Sequence, residues 1–165
     1  MPLGFIHLIG AWTITKVYQF FSKNKISKYT WFFLLFGAIL PDIDYIFEWT
    51  FDIVIHRTIT HSLFFAVIIL LISLFSFYLV KEKKCRQYSF ALFIGILIHL
   101  LLDFFSIKGI PFFWPHEMFI SYLGINLSVS SFMDNLSNSL RNCLIDIGLG
   151  TAWILYLSLK GKVKF

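Results

Sequence analysis

Two long apolar runs constrain this chain more than any other feature. "LFFAVIILLISLFSFYLV" (63–80) and "FALFIGILIHLLLDFFSI" (90–107) each contain 18 residues, and a helix of that length covers about 27 Å of a ~30 Å hydrocarbon core. Hydrophobic residues make up 58% of the chain and charged residues 14%, which is too little charge to cover the surface of a water-soluble domain. We therefore expect an integral membrane protein.

Three other segments are weaker candidates for membrane spans. Residues 143–159 are slightly short, residues 31–47 are interrupted at "PDID", and the first twenty residues carry several polar side chains. The pattern predicts an all-α fold, a polytopic transmembrane helical bundle of about four to five spans. We expect a single integral membrane domain over residues 1–165, with a metal site near its outer face.

The connection at about 108–140 differs from the apolar segments around it. It is rich in aromatic residues at its start and in Ser and Asn at its end. Two prolines in "GIPFFWP" exclude a regular helix there, and Trp, Phe and Pro suit the headgroup boundary. We interpret this connection as a re-entrant or interfacial segment, and name it the lid.

The distribution of basic residues indicates an orientation in the membrane. Although the net charge is +5, most of the basic residues lie in three clusters that flank apolar segments, as cytoplasmic charges do, so a nucleic-acid partner is not required. With the clusters inside, the protein is a multi-pass protein of the cell (inner or plasma) membrane, with an outer N-terminus and a cytoplasmic C-terminus. The clusters are Lys23, Lys25 and Lys28; Lys81, Lys83, Lys84 and Arg86; and Lys160, Lys162 and Lys164.

This orientation brings the metal-competent side chains to a similar depth, near the outer leaflet. Ionisable groups inside spans are rare and normally face a cavity or the bundle interior. The side chains are His7, Asp42, Asp44, His56, His61, His99 and Asp103. Such a concentration at one depth favours a common site.

Each motif also has a structural alternative. His99 and Asp103 share a helical face and could bind one ion or form an interhelical hydrogen bond. In "PDID", one carboxylate is expected to be a direct ligand and the other a second ligand or an orienting partner, but either could be a helix cap. Arg57 could contact a phosphate or anchor the chain at the interface.

Histidine and carboxylate ligands suit particular metals. They favour a divalent ion, zinc first, with manganese or iron as alternatives, and the number of candidates allows one or two ions. The two cysteines, Cys85 and Cys143, form no metal-type spacing. A metal in such a site polarises a phosphoryl oxygen and activates water.

The ordered motifs resemble a known family. His7, "LPDID", "HRTITHS", "GILIHLLLD" and "GIPFFWP", in that order over residues 1 to about 116, are similar to the LexA-regulated, membrane-bound metal-dependent hydrolases, the YdjM-like inner-membrane proteins. That family is distantly similar to the zinc-dependent phospholipase C and P1 nuclease group. The resemblance implies that His7, Asp42, His61, His99 and Asp103 are ligands, with Asp44, His56 and Arg57 close by, whereas His116 matches no family position.

These observations lead to one functional hypothesis and two alternatives. The hypothesis is a membrane-embedded, phospholipase C-like hydrolase that cleaves a phosphoester of a lipid or lipid-linked substrate with metal-activated water. The alternatives are a non-enzymatic membrane protein, with a structural metal site or a metal-ion or proton pathway, and a regulator that binds a partner. The expected metal ligands are His7, Asp42, Asp44, His61, His99 and Asp103, and the expected catalytic residues are Arg57, Asp44 and His56.

Overall fold

The chain folds mainly into α-helices in a computed structural model. The structure describes residues 4–23, 25–51, 57–80, 83–105, 109–116, 118–121, 124–126 and 136–160. Its helices are α1 (Gly4–Ser22), α2 (Lys28–Ile39), α3 (Asp44–Phe51), α4 (Leu63–Val80), α5 (Lys83–Phe104) and α6 (Leu136–Leu159). The predicted predominance of helix is confirmed.

The interruption expected at "PDID" is present between α2 and α3. Ser27 caps the start of α2, where its side chain accepts a hydrogen bond from the backbone N–H of Thr30. Pro41 has no N–H to donate, and a regular α-helix does not continue through it. The chain instead forms a short 3-10 helix, Leu40–Ile43, before α3 begins. This change of helix type sets the position of Asp42.

Helices α2 and α5 pack closely because glycines face each other across their contact. A Cβ atom added to Gly37 would overlap the backbone carbonyl of Leu92, and one added to Gly95 would overlap the backbone carbonyl of Leu34. Small residues allow helix backbones to approach in this way, which is the usual form of close packing between helices in membranes. Ala38 is fully buried in the same contact.

The outer faces of the helices are apolar. Large side chains such as Phe20, Leu71, Phe75 and Leu155 are more than half exposed, as expected of side chains that contact lipid rather than water. Two segments, Lys28–Phe47 and Lys84–Phe104, are long and apolar enough to cross a membrane, and Leu63–Ser76 and Leu144–Leu159 are shorter apolar helices. The total of four to five spans stays a prediction.

The described part of the lid contains a small β-hairpin, which the all-α prediction did not include. Strands β1 (Phe119–Ser121) and β2 (Gly124–Asn126) pair antiparallel. Ile110 is bridged to Ile120 by two backbone hydrogen bonds of 3.0 and 2.9 Å. Residues 109–116, which the structure describes before the hairpin, contain no helix, in agreement with the proline pattern. Buried Ile110 packs with Ala66, Ile96 and Leu100, so the lid rests against α4 and α5.

Candidate metal centre

Five of the predicted ligands meet at one place in the fold. His7 lies in the first turn of α1, Asp42 in the 3-10 helix after α2, and His61 in a second short 3-10 helix, Ile59–His61, just before α4. His99 and Asp103 lie one turn apart near the end of α5. The three imidazoles are completely buried and Asp103 is 2% exposed. The sequence-based grouping of these five residues is therefore matched by their positions.

The imidazoles of His61 and His99 point at the same two carboxylates. His61 Nε2 lies 3.4 Å from Asp42 Oδ1 and 3.5 Å from Asp103 Oδ2. His99 Nε2 lies 3.7 Å from each of those two oxygens. All four distances exceed the usual 2.7–3.2 Å of a hydrogen bond. The polar atoms therefore converge without closing on one another.

His7 completes the cluster from the side of α1. Its Nε2 atom lies 3.6 Å from Asp103 Oδ1 and 3.9 Å from Asp42 Oδ2. Its ring stacks on that of His99, with the ring centroids 3.8 Å apart. These contacts link α1 with α5 and with the segment after α2. Since His61 comes from the segment before α4, the cluster joins four separate parts of the chain.

The ring of His99 is held by the backbone of α2. Its Nδ1 atom lies 2.7 Å from the carbonyl oxygen of Ala38, and a carbonyl can only accept a hydrogen bond, so Nδ1 donates. Ala38 is in the last turn of α2, where carbonyls lack the normal helical partner. A neutral His99 in this tautomer directs the lone pair of Nε2 toward Asp42 and Asp103, as a metal ligand must.

Asp44 occupies a different position from the other acidic residues. Its Oδ2 atom accepts a hydrogen bond of 2.5 Å from the Thr60 hydroxyl and lies 3.4 Å from His61 Nδ1. Thr60 Oγ1 is also 3.0 Å from that nitrogen. Asp44 thus contacts the ring edge of His61 that faces away from Asp42 and Asp103. This geometry favours the orienting role among the alternatives that the sequence left open for Asp44.

The electrostatic environment of His61 is strongly negative. Burial by itself lowers the pKa of this imidazole, but the neighbouring carboxylates Asp42, Asp44 and Asp103 outweigh it and raise the pKa to about 9. Because those carboxylates stabilise a positive charge at His61, they would also stabilise a metal cation that takes the place of the proton.

Arg57 is buried beside the cluster. It adopts a left-handed backbone conformation with φ of 60° and is 5% exposed. Its guanidinium donates to Asp103 Oδ1 at 3.2 Å and to the carbonyl oxygen of Gly109 at 2.9 Å. Arg57 therefore connects the acidic cluster with the start of the lid.

Of the two remaining histidines, one lies apart from the cluster and the other is outside the described residues. His116 is exposed and lies in a turn of the lid, and it belongs to neither of the two groups of potential metal ligands found among the described residues. His56 lies outside the described residues, so its predicted role stays a prediction.

The donor set fits a divalent metal ion in the chemical type of its donors and in the distances between them. His7 Nε2, His99 Nε2 and Asp42 Oδ2 are buried and have no hydrogen-bond partner among the described residues, although buried polar atoms are normally paired. Ligands arranged tetrahedrally at 2.0–2.1 Å around zinc lie about 3.3 Å apart, close to the 3.4–3.9 Å separations found here. Two overlapping groups share His99: His7, Asp42 and His99; and His61, His99 and Asp103.

The charge balance agrees with that fit. Imidazoles that bind a metal are neutral, and the carboxylates of Asp42, Asp44 and Asp103 then carry more negative charge than the guanidinium of Arg57 offsets. A bound divalent cation would compensate this excess in the apolar surrounding.

Three features of the site were not anticipated from the sequence. The hydroxyl of Thr60 and the carbonyl of Ala38 orient two of the histidines. Asp146 on α6 is 3% exposed and accepts hydrogen bonds from the N–H groups of Phe5 and Ile6 at 3.2 and 2.9 Å, so it caps α1 beside His7. In the sequence, Asp146 stands out as an acidic residue in an apolar segment. The sequence does not indicate its hydrogen-bond partner Ile6, because that residue lies 140 positions away in the chain.

Comparison with known proteins identifies the family of this chain. No curated protein and no solved structure gives a significant match. A family model described as the YdjM inner membrane protein matches residues 1–160, which is nearly the whole chain and includes every residue of the cluster. The resemblance suggested by the ordered motifs is thereby confirmed at the level of the family: this chain belongs to the YdjM inner membrane protein family.

Proposed function

We propose that the protein is a metal-dependent phosphoester hydrolase of the membrane. The observation that carries this proposal is the convergence of three imidazole Nε2 atoms on the carboxylates of Asp42 and Asp103, at 3.4–3.9 Å. Zinc is the first candidate because the donors are nitrogen and oxygen at tetrahedral spacing, with manganese or iron as alternatives. The sharing of His99 between two groups is compatible with one or two ions.

The five converging residues would hold the metal, and a bound divalent ion supplies an activated water and polarises a phosphoryl oxygen. Asp44 and Thr60 fix the ring of His61, and the carbonyl of Ala38 fixes that of His99. Such outer partners keep the ligand nitrogens aimed at one point. The burial of the three histidines and of Asp103 limits bulk water at the site, which strengthens its electrostatic interactions.

Arg57 would act on the anionic substrate through its charge. Its two terminal nitrogens hold Asp103 and the lid, so the guanidinium is fixed beside the cluster before any substrate binds. A fixed positive charge stabilises the negative charge that develops on the phosphoryl oxygens during hydrolysis. His56 is kept as a further catalytic candidate on the sequence evidence alone.

The substrate is proposed to be a lipid or lipid-linked phosphoester. Membership of an inner membrane family and the exposed apolar side chains on the helices support a location where lipids reach the site by lateral diffusion. Asp42 is the most accessible ligand, with 14% of its side chain exposed, and we propose that the substrate approaches from its side.

The proposed site faces the outer side of the membrane. Lys84 lies at the start of α5 and Asp103 near its end, a separation of about 28 Å along a helix, which is close to the thickness of the hydrocarbon core. Lys28 and Asp42 similarly flank α2. If the helix ends that carry Lys28 and Lys84 are cytoplasmic, the protein has the multi-pass topology that the sequence predicts, with the cluster on the outer side.

A metal-ion or proton pathway, or a purely structural metal site, is the second candidate. It is favoured by the burial of ionisable groups inside a membrane protein. A pathway needs such groups through the whole bundle, but Thr15 and Ser89, the buried polar residues described near the basic ends, bond only to carbonyls of their own helices. Asp146 lies beside the cluster rather than in the other half. The hydrolase is therefore preferred.

Metal content and phosphodiesterase activity of the purified protein in detergent test the proposal. We expect about one or two zinc ions per chain and turnover of bis(p-nitrophenyl) phosphate. His99→Ala should lose bound metal and activity, whereas the control His116→Ala, a histidine outside the cluster, should retain both. Metal-free wild-type protein, or full turnover by His99→Ala, would refute the proposal, and metal-coupled ion flux in liposomes would favour the second candidate.

A further inference from the structure

An apolar groove leads to the cluster from one side of the bundle. It lies where α1, the 3-10 helix after α2, α3 and α6 meet, and it has a volume of about 370 Å³. This volume falls within the usual ~300–1,000 Å³ of small-molecule sites. We name it the α1–α3 groove. Its walls include Phe5, Leu8, Ile39, Ile43 and Ile46.

The lining of the groove contains two carboxylates, which differ in their hydrogen bonding. Asp42 and Asp146 are the acidic residues of that lining. The carboxylate of Asp146 already accepts two backbone hydrogen bonds from α1. Asp42, by contrast, belongs to the metal cluster and has a buried oxygen, Oδ2, with no hydrogen-bond partner among the described residues. The groove is thus apolar along its walls and polar where it meets the cluster.

A ligand that fits this arrangement has one apolar part and one polar end. A hydrocarbon chain would bury more apolar surface against walls of Ile, Leu and Phe than a small water-soluble phosphoester could, and the gain in free energy grows with the apolar area buried. The polar end would lie at Asp42, where the cluster provides its cation site. A lipid in the surrounding membrane has both parts.

A second apolar cavity provides a comparison. It lies between α2, α4 and α5, with a volume of about 450 Å³, and is lined by residues such as Phe36, Ile69 and Ile72. Although it is larger, none of its lining residues belongs to the metal cluster. The two cavities therefore cannot be distinguished by their apolar character or their volume. They differ because only the α1–α3 groove contacts the metal cluster, through Asp42.

We infer that the α1–α3 groove binds the hydrocarbon chain of a lipid phosphoester whose phosphate lies at the metal cluster beside Asp42. This inference rests on the proposed function, because it assigns the substrate of that same site to single lipid molecules held by their tails. It adds a specificity site that the cluster does not contain.

Two matched substitutions test the inference. Ile46 lines the α1–α3 groove and is 64% exposed, and Ile72 lines the second cavity and is 58% exposed. Both are helix-surface isoleucines, so replacement by Trp should not disturb folding. Ile46→Trp should obstruct the groove and lower kcat/KM for a long-chain phospholipid by roughly tenfold or more, since each methylene group in an apolar pocket contributes ~10–200-fold.

Zinc content, turnover of a second substrate and the variant Ile72→Trp serve as controls. Ile46→Trp should retain its zinc, because the cluster is untouched, and its turnover of the long-chain phospholipid should fall more than its turnover of bis(p-nitrophenyl) phosphate. Ile72→Trp should match the wild type with both substrates. Undiminished long-chain turnover by Ile46→Trp, or an equal loss by Ile72→Trp, would overturn the inference while leaving the hydrolase proposal in place.

A binding measurement separates the inference from catalysis. The full chain in detergent is photolysed with hexadecyl phosphate that carries a diazirine near the end of its chain, and the adducts are mapped by mass spectrometry. We expect adducts on residues 4–8 and 39–46, reduced in Ile46→Trp and unchanged in Ile72→Trp. Adducts elsewhere, or spread evenly over the apolar faces, would overturn the inference. Groove adducts in a protein that hydrolyses no phosphoester would support the chain-binding site and refute the hydrolase.

Discussion

The imidazole of His99 is held 2.7 Å from the carbonyl oxygen of Ala38, across the contact between α5 and α2. This bond links the packing of two helices to the direction of one ligand nitrogen. It forms because the chain departs from a regular helix after Ile39, which leaves last-turn carbonyls available. The facing glycines then allow α5 to come near enough for the bond to form.

Gly95→Ala tests this coupling between packing and the site. The added methyl group would overlap the backbone of α2 at Leu34, and overpacking typically costs about 1–3 kcal/mol. We expect a lower melting temperature in detergent and weaker zinc binding. Gly148→Ala is the matched control, since a Cβ there meets nothing within 4 Å and Ala favours helix. Equal behaviour of the two variants would mean that the close contact is not required.

Asp44→Asn tests the orienting role of Asp44. The amide oxygen can still accept a hydrogen bond from Thr60, but the variant lacks the negative charge that faces His61 Nδ1 at 3.4 Å, and weakening of such an outer partner usually lowers metal affinity ~10–100-fold. We expect reduced zinc affinity by competition with a chelator, but not the complete loss expected of Asp42→Ala. Complete loss in Asp44→Asn would instead indicate that Asp44 is a direct ligand.

Removal of metal should destabilise the protein. Without a cation, the buried carboxylate of Asp103 and the 14% exposed carboxylate of Asp42 both remain beside His61 Nε2 with no metal to neutralise them, so a chelator should lower the melting temperature. Zinc at 100 times its Kd would stabilise the native state by about 2.7 kcal/mol, or roughly 5–10 °C for a chain of this length. The melting temperature of the double variant Asp42→Asn, Asp103→Asn should not respond to zinc or chelator, and an equal response would place the metal elsewhere.

Arg57 should be among the costliest positions to truncate. Arg57→Ala removes both donors and leaves the buried carboxylate of Asp103 without its 3.2 Å partner, a change that typically costs about 3–5 kcal/mol. We expect poor thermal stability in detergent. Arg57→Lys keeps the positive charge but lacks the two guanidinium donors that join Asp103 with Gly109. Its loss of thermal stability should therefore be smaller than that of Arg57→Ala. Wild-type stability in Arg57→Ala would show that these bonds contribute little.

Asp146→Ala should destabilise the first turn of α1. The variant leaves the N–H groups of Phe5 and Ile6 without their acceptor, and loss of a helix cap costs about 0.5–2 kcal/mol. Hydrogen exchange should therefore increase at the start of α1, and zinc affinity should decrease because His7 lies in that turn. Asp146→Asn, which can still accept these bonds, should behave more like the wild type. Unchanged exchange in both variants would contradict the capping role.

The sequence by itself determined the membrane character, the main helices and the members of the cluster. The apolar run at 63–80 coincides with α4, since length and composition suffice to identify such a helix. The proline in "PDID" predicted the break after α2, and the four-residue spacing placed His99 and Asp103 on one helical face. The helices, the break and the shared face depend on residues that are near each other in the chain, whereas the five members of the cluster, which are far apart, were selected by the resemblance of the ordered motifs to a known family.

Only the tertiary structure decided which partners each polar group faces. Asp42 and Asp44 are two residues apart, yet one faces the converging imidazoles and the other the far side of His61. Asp146 could not be assigned to α1 from the sequence, because helix capping across the bundle has no local pattern. Directions of side chains follow from how α1, α2, α5 and α6 pack, and that packing depends on contacts between residues far apart in the chain.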